Sequence, residues 1–282
     1  MTERPVRADD SGPGRGARQL HGTERVFSLV VVGLVLANAV RIGFHSRHFV
    51  LDHPWNIVWI VGGGIAGLVA FFANGAGVRI RDAAPWLGYG VVAAYLGFAM
   101  QGGVNGAILR ELHDTPGASG FVLLGLGAAA CQTFGKWLVL RFVARLGGLR
   151  SPARVLAVGL AVGLGFGLAE ILILGENQMV RQHGIPSFPW LGIWERGVAV
   201  GFHVYSAAAI AIAIFDRRWI PIALVVALHA LDDAVAGAVG RGFARVPMVV
   251  IEGMFTVVTV GMWMYYQRLH ELLLASRGRP AA

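Results

Sequence analysis

The chain predicts an all-α fold: a polytopic membrane helix bundle of about eight transmembrane helices. Three observations carry this prediction. Of 282 residues, 56% are hydrophobic and only 14% charged, whereas a soluble domain carries about 25% charged residues. Eight stretches reach the ~20 mostly apolar residues that a span requires. They lie at roughly 26–44, 56–74, 86–108, 119–141, 153–175, 189–214, 219–238 and 246–266. The connecting loops are short, and prolines fall at or near the segment starts, where a missing N–H costs little.

The elements follow in order. Residues 1–24 are polar, Gly/Arg-rich and without an apolar h-region, which predicts a disordered cytoplasmic tail rather than a cleaved signal peptide. The segment 26–44 then directs insertion. The loop after it holds His45, His48, Asp52 and His53, which read more simply as an interfacial loop than as a metal set. The third segment opens after Pro85 and carries Gln101 and Asn105 on one face; the fourth carries Gln132 and Lys136 on one face. Such pairs hydrogen-bond between membrane helices. The fifth follows Pro152, the sixth opens at Pro189, and the seventh and eighth contain Pro221 and Pro247 near their starts. Glu252 on the eighth is a candidate partner for Lys136 or Arg245. This gives a bundle over 25–270, a cytoplasmic tail over 271–282, and no soluble domain.

The net charge of +8 does not point to nucleic acid, because the cations sit in tails and short loops. With the N-terminus inside, the inner tails and loops hold sixteen arginines; the outer loops hold six, at 41, 47, 110, 181, 241 and 245. That bias predicts both termini on the cytoplasmic side. The Arg/Ala/Gly-rich composition fits a GC-rich bacterial genome and hence a bacterial inner membrane. Cys131 is the single cysteine, so no intrachain disulfide forms. No cofactor is called for.

Function is sought among the ionisable residues inside the apolar helices: Glu170, Glu195, Arg196, His203, His229, Asp232 and Asp233. A charge at the bilayer centre costs roughly 2.5–3.5 kcal/mol on insertion scales, so such residues usually face a protein interior. In the fifth segment Gly159, Gly163 and Gly167 recur every four residues, and Glu170 shares their face, directed into a helix interface. A structural pairing of Glu170 with Arg196 is the plainer alternative. Glu195 and Arg196 read equally as an interfacial ion pair; His203 lies two turns deeper than Arg196. In the seventh segment His229 and Asp233 are neighbours at i and i+4, with Asp232 on the other flank. A carboxylate beside an imidazole fixes its tautomer. With the N-terminus inside, these residues converge between mid-bilayer and the extracytoplasmic half.

A carboxylate and histidines on adjacent membrane helices, ending in HxxxD, resemble the CAAX-protease/PrsW superfamily of glutamic intramembrane proteases, and within it the YhfC family. The residues carrying the resemblance are GLGFGLAE (Gly163–Glu170), Glu195–Arg196 followed by His203, and HALDD (His229–Asp233). With the fourth segment they cover about residues 120–240. The resemblance implies that a Glu and a His activate a water, and that a second His with an Asp stabilises the tetrahedral oxyanion. Hydrolysis of a peptide needs a base, an acid for the leaving amine and an oxyanion partner. The catalytic set would be Glu170, His203, His229 and Asp233, supported by Glu195, Arg196, Asp232, Gln132 and Lys136. Two departures stand out. Where the superfamily carries EExxR, this chain has Gln132-Thr133-Phe134-Gly135-Lys136, which keeps a cation and lacks both glutamates. Where the YhfC glycine-rich motif tends to carry His, it has Phe166.

Three readings follow. The first is an intramembrane endopeptidase acting on a membrane-associated peptide or protein. The second is a degenerate relative that binds such a partner without cutting it. The third is a proton-coupled transporter, since Glu/His/Asp chains also relay protons; no paired broken helices or inverted repeat support it.

Overall fold

The computed structural model describes residues 55–74, 80–113, 117–181, 189–240 and 248–277. These form seven helices: α1 (Trp55–Asn74), α2 (Ile80–Glu111), α3 (Ala118–Arg145), α4 (Pro152–Arg181), α5 (Pro189–Asp216), α6 (Ile220–Gly240) and α7 (Met248–Arg277). No strand occurs among the described residues.

Six helices are long and apolar enough to cross a membrane, over Ala83–Glu111, Ala118–Arg145, Pro152–Ile171, Ile193–Asp216, Ile220–Ala238 and Val249–Ala275. The described residues thus give six candidate spans, not the eight read from sequence. Of the other two segments, 26–44 lies outside the described residues, as do the 1–24 tail and the His45–His53 loop. The second, 56–74, forms α1, which at 20 residues is long enough to span.

Several ends also differ from expectation. Pro85 lies inside α2 rather than ahead of it. The proline is tolerated because it falls in the second turn, where few upstream carbonyls are left without a donor. α7 runs to Arg277, well past residue 266, because HELLLAS is built of good helix formers. α3 stops at Gly147, which takes the left-handed conformation (φ 77°). The Gly147 N–H donates to the Ala144 carbonyl (3.0 Å) and the Gly148 N–H to that of Val143 (2.8 Å), which closes the end as a Schellman cap.

α5 is the hub: α1, α3, α4, α6 and α7 all pack against it. Residues 200–214 of α5 are buried without interruption, as expected for a helix that is apolar all round. α4 lies against α5 on one side and α2 on the other, and α6 packs chiefly on α3. The outer helices turn residues such as Val122, Leu126, Val257 and Met264 outward, which is where lipid would contact them.

Glycine brings α4 and α5 close enough to build a site. A Cβ on Gly163 would strike the His203 carbonyl oxygen and lie 2.6 Å from Val204 Cα. On α3, a Cβ on Gly135 would sit 2.5 Å from the Ala93 carbonyl of α2. Both contacts fit the close backbone approach that small residues allow in lipid.

Candidate functional site

The buried face of α3 repeats every three or four residues through Gln132, Thr133, Lys136, Val139, Leu140 and Val143. Phe134, Leu138 and Phe142 lie on the opposite, exposed side. Lys136, the only lysine in the chain, is therefore carried into the bundle, where it is 0% exposed. Its Nζ lies 2.7 Å from His203 Nδ1 and donates to Ser206 Oγ at 3.2 Å. It also stands 4.4 Å from the centre of the Phe166 ring, within cation–π range.

Phe166 and Glu170 are one turn apart on α4, so both address the same point on α5. The Phe166 ring packs on the His203 imidazole at 4.6 Å between centres, with Phe98 stacked at 6.2 Å from Phe166. Glu170 Oε2 meets His203 Nε2 directly. The two ring nitrogens of His203 are thus occupied by an ammonium on one side and a carboxylate on the other. Ser206, one turn along α5, donates its hydroxyl to the His203 carbonyl (3.2 Å).

α6 completes the cluster. The His229 ring is 5.5 Å from that of His203, edge to face, and 5.2 Å from that of Phe202. His229 Nε2 lies 3.5 Å from Asp233 Oδ2, and His229 Nδ1 has no hydrogen-bond partner among the described residues. Asp233 is the more open of the two, with 31% of its side chain exposed.

Arg196 and Glu195 form an ion pair with each other. The Arg196 charge still reaches Glu170 and Glu252 electrostatically. Glu252, on α7, is buried with Oε2 lacking a hydrogen-bond partner among the described residues. Trp194 Nε1 donates to Thr256 Oγ1 (2.8 Å) and that hydroxyl to the Glu252 carbonyl (2.7 Å), tying α5 to α7.

The structure thus brings together Lys136, Glu170, His203 and His229, with Asp233 at the edge. Glu170 contacts His203. Asp232 makes no ion pair with His229 among the described residues; Asp233 lies nearest that imidazole. Gln132 serves α3–α2 packing, donating to Gln101 Oε1 at 3.0 Å. Glu252 forms no ion pair with Lys136 among the described residues, and its other candidate partner, Arg245, lies outside them. Sequence reasoning missed Ser206, although its position three residues after His203 placed it on the same face. It also took Phe166 only as a departure from a motif, whereas its ring lies against both Lys136 and His203. Among the described residues no group of three or more His, Cys, Asp or Glu side chains is arranged to hold a metal ion.

The arrangement offers one carboxylate and two imidazoles within a bundle, a set able to move protons and to stabilise a developing negative charge. No protein-family profile, curated protein or solved structure matches this chain.

Proposed function

We propose that the chain is an intramembrane endopeptidase of the CAAX-protease/PrsW/YhfC type, hydrolysing a peptide bond of a membrane-associated protein. The observation that carries the reading is the direct contact of Glu170 with His203 inside the bundle, with the His229 ring 5.5 Å from that of His203. In this mechanism a water lies between the Glu170 carboxylate and the substrate carbonyl. Glu170 takes a proton from the water as its oxygen bonds to the carbonyl carbon. His229, oriented by Asp233, hydrogen-bonds the resulting oxyanion. As the intermediate collapses, the C–N bond breaks and the leaving amine takes the proton from Glu170, giving one acid and one amine terminus. His203 holds the carboxylate in place throughout. The protein sits in the bacterial inner membrane in this reading, with both termini cytoplasmic.

The experiment is co-expression of the chain with a panel of tagged single-pass membrane proteins. Glu170→Gln should abolish every cleavage the wild type performs at unchanged protein level. Cleavage that persists in this variant overturns the assignment of the base.

One observation favours a second reading, a non-cutting relative that binds a membrane peptide. The positions of the superfamily's two glutamates hold Gln132, spent on Gln101, and Thr133, whose hydroxyl has no hydrogen-bond partner among the described residues. Association of a panel member that is never cleaved, abolished by the same Glu170→Gln change, would select this reading over the first.

A further inference from the structure

We infer that Lys136 is a positioning residue: as an ammonium it fixes His203 in the neutral tautomer with hydrogen on Nε2, so that Glu170 alone is left to take a proton. The inference deepens the peptidase reading and rests on it for the role of Glu170. The tautomer itself follows from contacts around the lysine.

The Ser206 hydroxyl proton is committed to the His203 carbonyl oxygen at 3.2 Å, so toward Lys136, at 3.2 Å, the Ser206 oxygen can only accept. Lys136 is therefore a donor there. The third neighbour of Nζ is the face of the Phe166 ring at 4.4 Å, which attracts a cation. An ammonium has three donors and no acceptor. At 2.7 Å from it, His203 Nδ1 must be the accepting nitrogen. A neutral imidazole carries one N–H, which then sits on Nε2, the nitrogen in contact with Glu170 Oε2.

The result is a line of ammonium, neutral imidazole and carboxylate whose charges cancel, the arrangement that least penalises burial of ions in lipid. It also decides which group works as base. Both nitrogens of His203 are engaged, so the imidazole has no lone pair to offer a water, and Glu170 does. A Lys136 variant would free Nδ1, let the ring rotate or switch tautomer, and release the carboxylate from its fixed orientation.

Because Lys136 is the only lysine in the chain, labelling lysine with 15N at Nζ gives one resonance from the full-length protein in lipid. Histidine ring 15N labelling, with a His203→Asn variant to assign the His203 signals, supplies the other half. The expected result is an ammonium signal that correlates through space with one unprotonated histidine nitrogen, Nδ1 of His203, while Nε2 of the same ring is protonated. Lys136→Met should lose the hydrogen-bond shift at Nδ1 and populate the second tautomer; Lys136→Arg should retain the wild-type tautomer. A wild-type His203 with hydrogen on Nδ1, or with both nitrogens protonated, overturns the inference. So does a His203 spectrum unchanged in folded Lys136→Met. Where Lys136→Met does not fold, the wild-type correlation decides alone. None of these signals depends on cleavage, so failure of the peptidase reading and failure of this one are separately visible.

Discussion

Glu170, His203 and His229 are the residues on which the proposed chemistry depends, and their substitutions differ in expected effect. Positioned acid–base groups contribute about 10²–10⁴-fold, so Glu170→Gln should lower the cleavage rate by that range. Loss of one oxyanion donor costs about 10²–10³-fold, which is the fall expected for His229→Ala, measured as initial rate against a matched substrate. Arg196 acts on stability instead. Its guanidinium pairs with Glu195 and supplies counter-charge to Glu170 and Glu252. Removing one partner from a buried charge cluster costs about 3–5 kcal/mol, so Arg196→Met should lower unfolding free energy by roughly this amount in a detergent titration, whether or not the protein cleaves anything. At this scale the sequence disclosed which residues are polar within apolar helices. It could not pair them, because Arg196 has carboxylates within reach on its own helix and on two others, and only packing chooses among them.

At the scale of elements, the α4–α5 contact positions the site. Gly163 lies against the His203 carbonyl and Val204, so the helix that carries Glu170 cannot approach the helix that carries His203 if this residue has a side chain. Overpacking of this kind costs about 1–3 kcal/mol. Gly163→Val should lower the thermal midpoint in detergent and separate Glu170 from His203. The control is Gly261→Ala on α7, an exposed position where a Cβ meets nothing within 4 Å; it should leave the midpoint unchanged or slightly raised, since glycine is the poorer helix former. The spacing of Gly159, Gly163 and Gly167 made this face legible in the sequence, since a small residue every four positions is a one-dimensional pattern. Helix ends were less legible. α7 extends to Arg277 through a stretch that mixes charged residues with Leu and Ala, all good helix formers, and a reading based on continuous apolar content stops too early at such an end.

For the whole molecule, the arginine distribution makes a prediction that does not depend on the chemistry. A fluorescent protein fused after Ala282, which fluoresces only in the cytoplasm, should be bright, and a periplasm-dependent phosphatase at the same point should be silent; the reverse pattern would overturn the orientation. The sequence by itself determined that this is an all-helical chain with long apolar segments, because burying a backbone in lipid leaves only internally hydrogen-bonded helices, and length and apolarity are read directly along the chain. It also determined which polar side chains lie within those segments. Only the tertiary structure decided that α5 is the hub, that Lys136 reaches His203 from α3, and that Glu170 contacts an imidazole. The contact between Lys136 and His203 joins residues 67 positions apart in the chain. Which faces of separate helices meet is set by the packing of glycines and rings against each other, and no local periodicity encodes it.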